Sequence, residues 1–325
     1  MRRPFRLLVF IALCLAFLAG ALLVQPGMWL VSSRTRRVVF ARMAQLWARA
    51  LLRLIGMRVN LSGVSPGTLG GNYLLVGNHQ SYLDIIIIAS AFPILFVAKQ
   101  EMGRWPMLGW LARLGGTIFI DREDAHSGVS CAYRASRLLR SGINVQVFPE
   151  STTNDGNGML PFKALFFASA IRARVPVLPL TIDFRAVNQQ ALDDESREWM
   201  CWYGDADFLP HFWRVLQIDS AEVSLMVHQP IETSRRYRAT ALAQLTEHLI
   251  RTAKESDAMA RRIENECAYC AEEIEPEKGF IGRDWKVYCS LRCVEAGESI
   301  SRAELDQLMD RVSPGRERVV QDQSL

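Results

Sequence analysis

The sequence predicts an α/β domain on a mixed, mostly parallel sheet flanked by helices, with an apolar helix before it and a small cysteine-bearing module after it. Three observations carry this. Short β-rich runs alternate with helical stretches between residues 73 and 231, the spacing of strand–helix–strand units. An apolar run, Leu7 to Val24, stands alone near the N-terminus, and four of the seven cysteines gather between residues 267 and 293. At 325 residues and 50% hydrophobic, the chain can bury a full core and still carry one accessory module. The expected divisions are an anchor over 1–33, the main domain over 34–255, a helical linker over 256–266, the cysteine module over 267–297, and a helix with a polar tail over 298–325.

As a helix, Leu7 to Val24 would span about 27 Å, close to the thickness of a bilayer's hydrocarbon core. A membrane anchor is the first reading. A cleaved signal peptide competes, because Arg2, Arg3 and Arg6 form a basic leader and Ala19-Gly20-Ala21 resembles a cleavage site. A buried core helix is the third. Net charge is +4, yet residues 1–60 hold ten arginines and no Asp or Glu, so the basic charge belongs to this end.

From Arg34 to Met57 a helical pattern sets Val38, Phe40, Met43, Leu46, Trp47, Ala50, Leu51 and Leu54 against Arg37, Arg42, Arg49 and Arg53. It suits a basic helix lying on anionic lipid, and equally an ordinary surface helix docked on the domain. Arginines flank the apolar run on both sides, so the positive-inside rule leans only slightly toward a cytoplasmic C-terminal side. Arginine outnumbers lysine 33 to 5, the bias of a GC-rich bacterial genome, which makes the expected location the inner, cytoplasmic membrane.

The strand candidates are YLLVGNH (73–79), ILFVAKQ (94–100), GTIFIDR (116–122), NVQVFPE (144–150), VPVLPLTID (175–183) and AEVSLMVHQPI (221–231). Residues 187–219 interrupt the alternation with Trp199, Trp202, Tyr203, Phe208, Phe212 and Trp213, a crowd that suits core or a lid. A polar helix from Arg235 runs through Leu242, Leu245 and Leu249 and fades near Glu264.

The stretch NHQSYLD places His79 at a strand end and Asp84 at the start of a helix. One reading is local: Ser81 caps the helix and Asp84 completes a capping box. The other is chemical: His79 acts as a general base, and Asp84 bonds its second ring nitrogen. Five residues apart on a continuous helix, the two would diverge by about 140°. The chemical reading therefore needs His79 to precede the helix and fold back over its first turn, where free N–H groups favour negative charge.

Further blocks follow in order: GGTIFIDR ending in Arg122, VFPESTTNDG with Glu150, and VPVLPLTI. With His79 and Asp84 they resemble the four blocks of the 1-acylglycerol-3-phosphate acyltransferase family: His-x4-Asp, an arginine after a strand, Phe-Pro-Glu-Gly-Thr, and Val-Pro-x-x-Pro. FVAKQEMGRWPMLGW resembles the family's stretch between its first two blocks. The resemblance covers about residues 35–255 and implies the glycerolipid acyltransferase fold. It implies His79 and Asp84 as the catalytic dyad and Arg122 as a ligand of the acceptor's polar head. Glu150, with Ser151 and Thr152, would shape the acceptor site, and Pro176 and Pro179 would be architectural. In this chain Ser151 replaces the glycine and Thr153 the following arginine, removing a fixed charge able to hold a phosphate. Relatives with threonine there include acyltransferases acting on other lysolipids, such as lyso-ornithine lipid.

Cys267, Cys270, Cys289 and Cys293 follow C-x2-C-x18-C-x3-C, a spacing for four thiolates around a structural Zn²⁺, and the YCSLRC turn resembles that of a treble-clef finger. Two disulfides, or free thiols, are the alternatives. Residues 267–297 carry six acidic and four basic side chains, a balance that argues against nucleic acid and for a structural or protein-binding role.

The expected activity is acyl transfer from acyl-CoA or acyl-carrier protein to the hydroxyl of a membrane lysolipid, on a domain facing the cytoplasm. A membrane-tethered thioesterase or lipid hydrolase, and a non-catalytic scaffold working through the cysteine module, are the rivals.

Overall fold

The computed structural model describes residues 2–28, 30–105, 107–121, 124–234 and 236–265, with the short pairs 280–281 and 287–288. Residues 1–254 form one compact unit and residues 255–325 a second. The four clustered cysteines lie outside the described residues, as does Arg122. In the second unit, β9 (Phe280–Ile281) and β10 (Val287–Tyr288) pair antiparallel.

The first unit is an α/β fold on one eight-stranded sheet. Its strands are β1 (Met57–Gly63), β2 (Leu74–Gly77), β3 (Leu95–Lys99), β4 (Ile118–Ile120), β5 (Val145–Val147), β6 (Val177–Val187), β7 (Gln190–Ala191) and β8 (Ala221–Val227). The order is β1-β8-β6-β2-β5-β3-β4, with β7 hairpinned on β6. Only β6–β8 and β6–β7 are antiparallel, so the sheet is mixed and mostly parallel, as expected. Parallel strands buried on both faces need apolar side chains on both, and alternation along β2 delivers them. Leu75 joins one core with Leu180, Ile182 and Leu225, while Leu74 and Val76 join the other with Val145, Val147 and Val177.

β1 is absent from the sequence expectation. Its pattern shows one buried residue and mostly exposed ones, because it is an edge strand with little apolar surface to display. Only its parallel register with β8, Met57 opposite Ala221 through Gly63 opposite Val227, makes it a strand.

The helices are α1 (Arg2–Met28), α2 (Ser33–Ile55), α3 (Leu83–Ala91), α4 (Leu108–Leu114), α5 (Ala125–Arg140), α6 (Phe167–Ala173), α7 (Asp194–Met200), α8 (Phe208–Val215) and α9 (Ala239–Asn265). α3 is nine residues of almost wholly apolar sequence, with Leu83, Ile87 and Ile88 fully buried. Its last carbonyls have no helical partner and are met by α2: Gln45 Nε2 donates to Ala91 O at 2.9 Å and Arg49 Nε to Ser90 O at 2.8 Å. α2 thus docks on the domain, burying Phe40, Ala41, Ala48, Leu51, Leu52 and Ile55, while Leu46 stays exposed.

α1 packs along α2 and α4 through Phe10, Cys14, Phe17 and Ala21, one face at helical spacing. Phe10 meets Phe212 of α8 at 4.8 Å between centroids, and Arg6 donates to the carbonyls of Leu216 and Ile218. Its other face is also apolar, and Leu8, Leu15, Leu22 and Leu23 stand exposed. The segment Pro4–Gly27 is long and apolar enough to cross a membrane, and only 22% of an apolar 18-residue stretch within it is buried, where a core helix would be mostly covered.

The aromatic crowd of residues 187–219 becomes α7, α8 and a ring cluster. Tyr82 meets Phe208 at 5.1 Å and Trp202 at 5.8 Å, and its hydroxyl lies 3.0 Å from His211 Nδ1. Burial, with Arg214 nearby, pushes His211 down from 6.5 to about 4. The unfolded chain therefore takes this proton first, so the contribution is complete above pH 6.5 and is lost as pH falls toward about 4. Its full size is about 3 kcal/mol. The thermal midpoint should fall between neutral pH and about pH 5, and His211→Gln should flatten that fall.

Candidate active site

β2, β5 and β6 run parallel, so their carboxyl ends share one edge of the sheet, where ligands bind in open α/β sheets. At this edge Asn78 extends the ladder with its side chain: Nδ2 donates to Ile182 O at 2.9 Å, and Oδ1 accepts from Ile182 N at 2.8 Å. The chain is thereby held in line with β2 for one more residue before turning into α3.

The turn brings His79 and Asp84 together. His79 Nδ1 lies 2.9 Å from Asp84 Oδ2, which also accepts from the amides of Gln80 at 2.6 Å and Ser81 at 2.8 Å. Three donors on one oxygen suit an ionised carboxylate, and Asp84 is wholly buried. A carboxylate only accepts, so Nδ1 carries the proton and Nε2 keeps its lone pair. The imidazole is 11% exposed, enough to meet a reactant. Phe148 stacks on it, centroids 3.9 Å apart and planes within 8°, which limits ring rotation.

The local expectation for this turn is corrected. Ser81 is not the cap: the N-cap is Tyr82, with no side-chain bond, and the Ser81 hydroxyl makes no hydrogen bond among the described residues. Half of the capping box survives, since Asp84 does accept from the Ser81 amide. That oxygen also serves the histidine, so the capping and chemical arrangements coexist.

Glu150 ties the loop after β5 to this turn. Oε1 accepts from the His79 amide at 2.7 Å, while Oε2 accepts from Asn154 Nδ2 at 2.6 Å and Leu160 N at 2.7 Å. It is 3% exposed, and burial pushes its carboxyl up, against the pull of these donors. Asn154 N returns a bond to His79 O at 3.1 Å. Glu150 thus shapes the site by holding the backbone of His79. Gly156, with φ +84°, lies so close that an added Cβ would stand 2.7 Å from Gln80 Oε1 and 2.9 Å from Cys201 Sγ. Cys201, its thiol pushed up to about 12 by burial, is neutral and no candidate nucleophile.

Asn78, Gln80, Phe148 and Asn154 lie inside the motif stretches, and the motifs assign them no role. Asn78 and Gln80 flank His79 directly, but nothing local shows that their partners lie on β6. Among the described residues, no group of His, Cys, Asp and Glu is placed to hold a metal ion.

Ser151 adopts φ +66°, in the left-handed region that glycine occupies without strain and other residues occupy at a cost of about 1 kcal/mol. Ser151→Gly should raise the thermal midpoint by about 1–3 °C, after the greater freedom of an unfolded glycine is subtracted.

Residues 58–183, which contain this site, match the family model described as Acyltransferase. The chain is 31% identical over 229 residues to a lyso-ornithine lipid O-acyltransferase of Brucella abortus, covering 68% of this chain and 85% of that one. It is 32% identical over 213 residues to a 1-acyl-sn-glycerol-3-phosphate acyltransferase of Neisseria meningitidis, covering 65% and 80%. The crystal structure of a 1-acyl-sn-glycerophosphate acyltransferase from Thermotoga maritima shares the fold, with a TM-score of 0.54 over 78% of this chain and 98% of that one, at 21% identity. At this identity and coverage the chain belongs to the acyltransferase family and is an enzyme of acyl transfer.

Proposed function

We propose that the protein moves a fatty acyl group from a thioester, acyl-CoA or acyl-carrier protein, to the hydroxyl of a lysolipid at the membrane, with His79 as the base. The observation that carries this is the 2.9 Å contact of His79 Nδ1 with a buried, triply bonded Asp84 oxygen. With Nδ1–H committed to Asp84, Nε2 takes the proton of the lipid hydroxyl as its oxygen attacks the thioester carbonyl. Asp84 stabilises the imidazolium so formed. Collapse of the tetrahedral intermediate expels the thiolate, which leaves as the thiol on receiving that proton. No covalent enzyme intermediate is needed, because a thioester is already activated.

Arg122 is assigned the acceptor's polar head on the family motif, and Ser151 and Thr152 the acceptor side of the loop. The acceptor we favour is lyso-ornithine lipid over lysophosphatidic acid. Support comes from relatives named for lyso-ornithine lipid and from Thr153 standing where the motif has an arginine. The outward leucines of α1 would lie in lipid and hold the site at the surface where both substrates meet. Thioester donors are cytosolic, which supports a domain facing the cytoplasm.

For the second unit we propose a structural Zn²⁺ on Cys267, Cys270, Cys289 and Cys293, serving a protein partner. The thiolate spacing supports it, as does the antiparallel pair β9–β10 that ends at Tyr288, directly before Cys289. Purified protein should release about one zinc per chain, and Cys267→Ser with Cys293→Ser should release none.

Membranes carrying wild type or His79→Ala, given labelled donors and a panel of lysolipids, test the main reading. Wild type should form the diacyl product with one acceptor, and His79→Ala should lose about 10³-fold in kcat with KM little changed. Release of free fatty acid without diacyl product would instead establish a hydrolase, and equal activity of the variant would remove His79 from the chemistry.

A further inference from the structure

Lys254 lies on α9, the last residue of the first unit, and is 7% exposed. Buried lysines are rare unless paired. Its Nζ donates to Gln80 Oε1 at 2.9 Å across 174 positions of sequence. Gln80 is wholly buried and is held at four points: Lys254 on its side-chain oxygen, Ile182 O on Nε2 at 2.9 Å, Asp84 Oδ2 on its amide at 2.6 Å, and Trp202 N on its carbonyl at 2.9 Å. The amide bond to Asp84 is one of the three that fix the carboxylate beneath His79.

Charge around the ammonium is lopsided. Burial disfavours its proton, and the carboxylates Asp183, Asp84 and Glu150 favour it. Asp183 is itself paired with Arg185 Nε at 3.2 Å, and Arg197 and Asp155 stand near Cys201. Asp84 Oδ1 is buried and accepts no hydrogen bond among the described residues, so that carboxylate rests on the three donors to its other oxygen.

We infer that Lys254 is a positioning residue for acyl transfer: through Gln80 it fixes the turn whose amides hold Asp84. The inference rests on the reading of His79 and Asp84 as the catalytic pair. A lysine that merely filled the core would affect stability alone. A positioning lysine also lowers kcat with KM little changed.

The test compares wild type, His79→Ala, Lys254→Gln and Gln80→Ala as full-length protein, measuring thermal midpoint, and kcat and KM for donor and acceptor. Folded Lys254→Gln should lose about 10- to 100-fold in kcat with both KM values within about 2-fold. Gln80→Ala should show a similar fall in kcat, since it cuts the same tie. Wild-type kcat in folded Lys254→Gln, or a loss confined to KM, would overturn the inference. If Lys254→Gln does not fold, Gln80→Ala decides: about 10-fold lower kcat supports the positioning role, and unchanged kcat overturns it. An inactive His79→Ala beside a fully active Lys254→Gln removes this inference alone. An active His79→Ala removes the catalytic pair with it.

Discussion

A wholly buried carboxylate, Asp84, organises this protein. A charge in that position is costly unless donors converge on it, and the turn leading into α3 supplies them: two backbone amides and the His79 ring, all within 2.9 Å of one oxygen. The amides are free for it because Gln80 and Ser81 precede α3, outside its hydrogen-bond ladder, and the helix field favours an anion at its first turn. Everything that fixes the turn then fixes the imidazole: Asn78 bridging to β6, Glu150 holding the His79 amide, and Phe148 against the ring face.

The surrounding fold supports that turn from both ends. α3 is short and apolar, so its own length does little for its stability. Burial against the sheet and the donors that α2 offers to its final carbonyls stabilise it instead. α2 in turn carries α1 along its back, and α1 meets α8 through Phe10 and Phe212. The ring cluster around Tyr82 joins α8 to the residue before α3. An apolar N-terminal helix that ends in contact with the catalytic domain differs from a tether: its inner face is packed like a core and its outer face is left apolar. This double character explains why one stretch of sequence reads at once as anchor, leader and core helix.

The sheet shows where pattern suffices. Central strands such as β2 and β6 are buried on both faces, and continuous Leu, Val and Ile announce them. β1 at the edge has no such need and went unannounced, because hydrogen bonding to β8 defines it more than its side chains do. Strand ends followed the same logic, with β6 continuing to Val187, past the VPVLPLTID run, because β8 and β7 pair with the extra residues.

The α/β alternation was legible from hydrophobic periodicity, a local property, whereas His79, Asp84 and Glu150 were singled out by an ordered set of motifs. What each motif residue touches was not legible. The motif assigns Glu150 to the acceptor site, and the fold adds that it holds the backbone of His79, with both oxygens used by the protein. Lys254 left a faint trace, continuing the buried stripe Leu242, Thr246 and Ile250 at four-residue spacing, yet a lysine at a stripe's end reads as a helix running out to solvent. Only the folded chain decides otherwise, by laying α9 beside a turn 174 positions away. Local order is written in the spacing of side chains, whereas the partners of buried polar groups depend on which distant elements the core brings together.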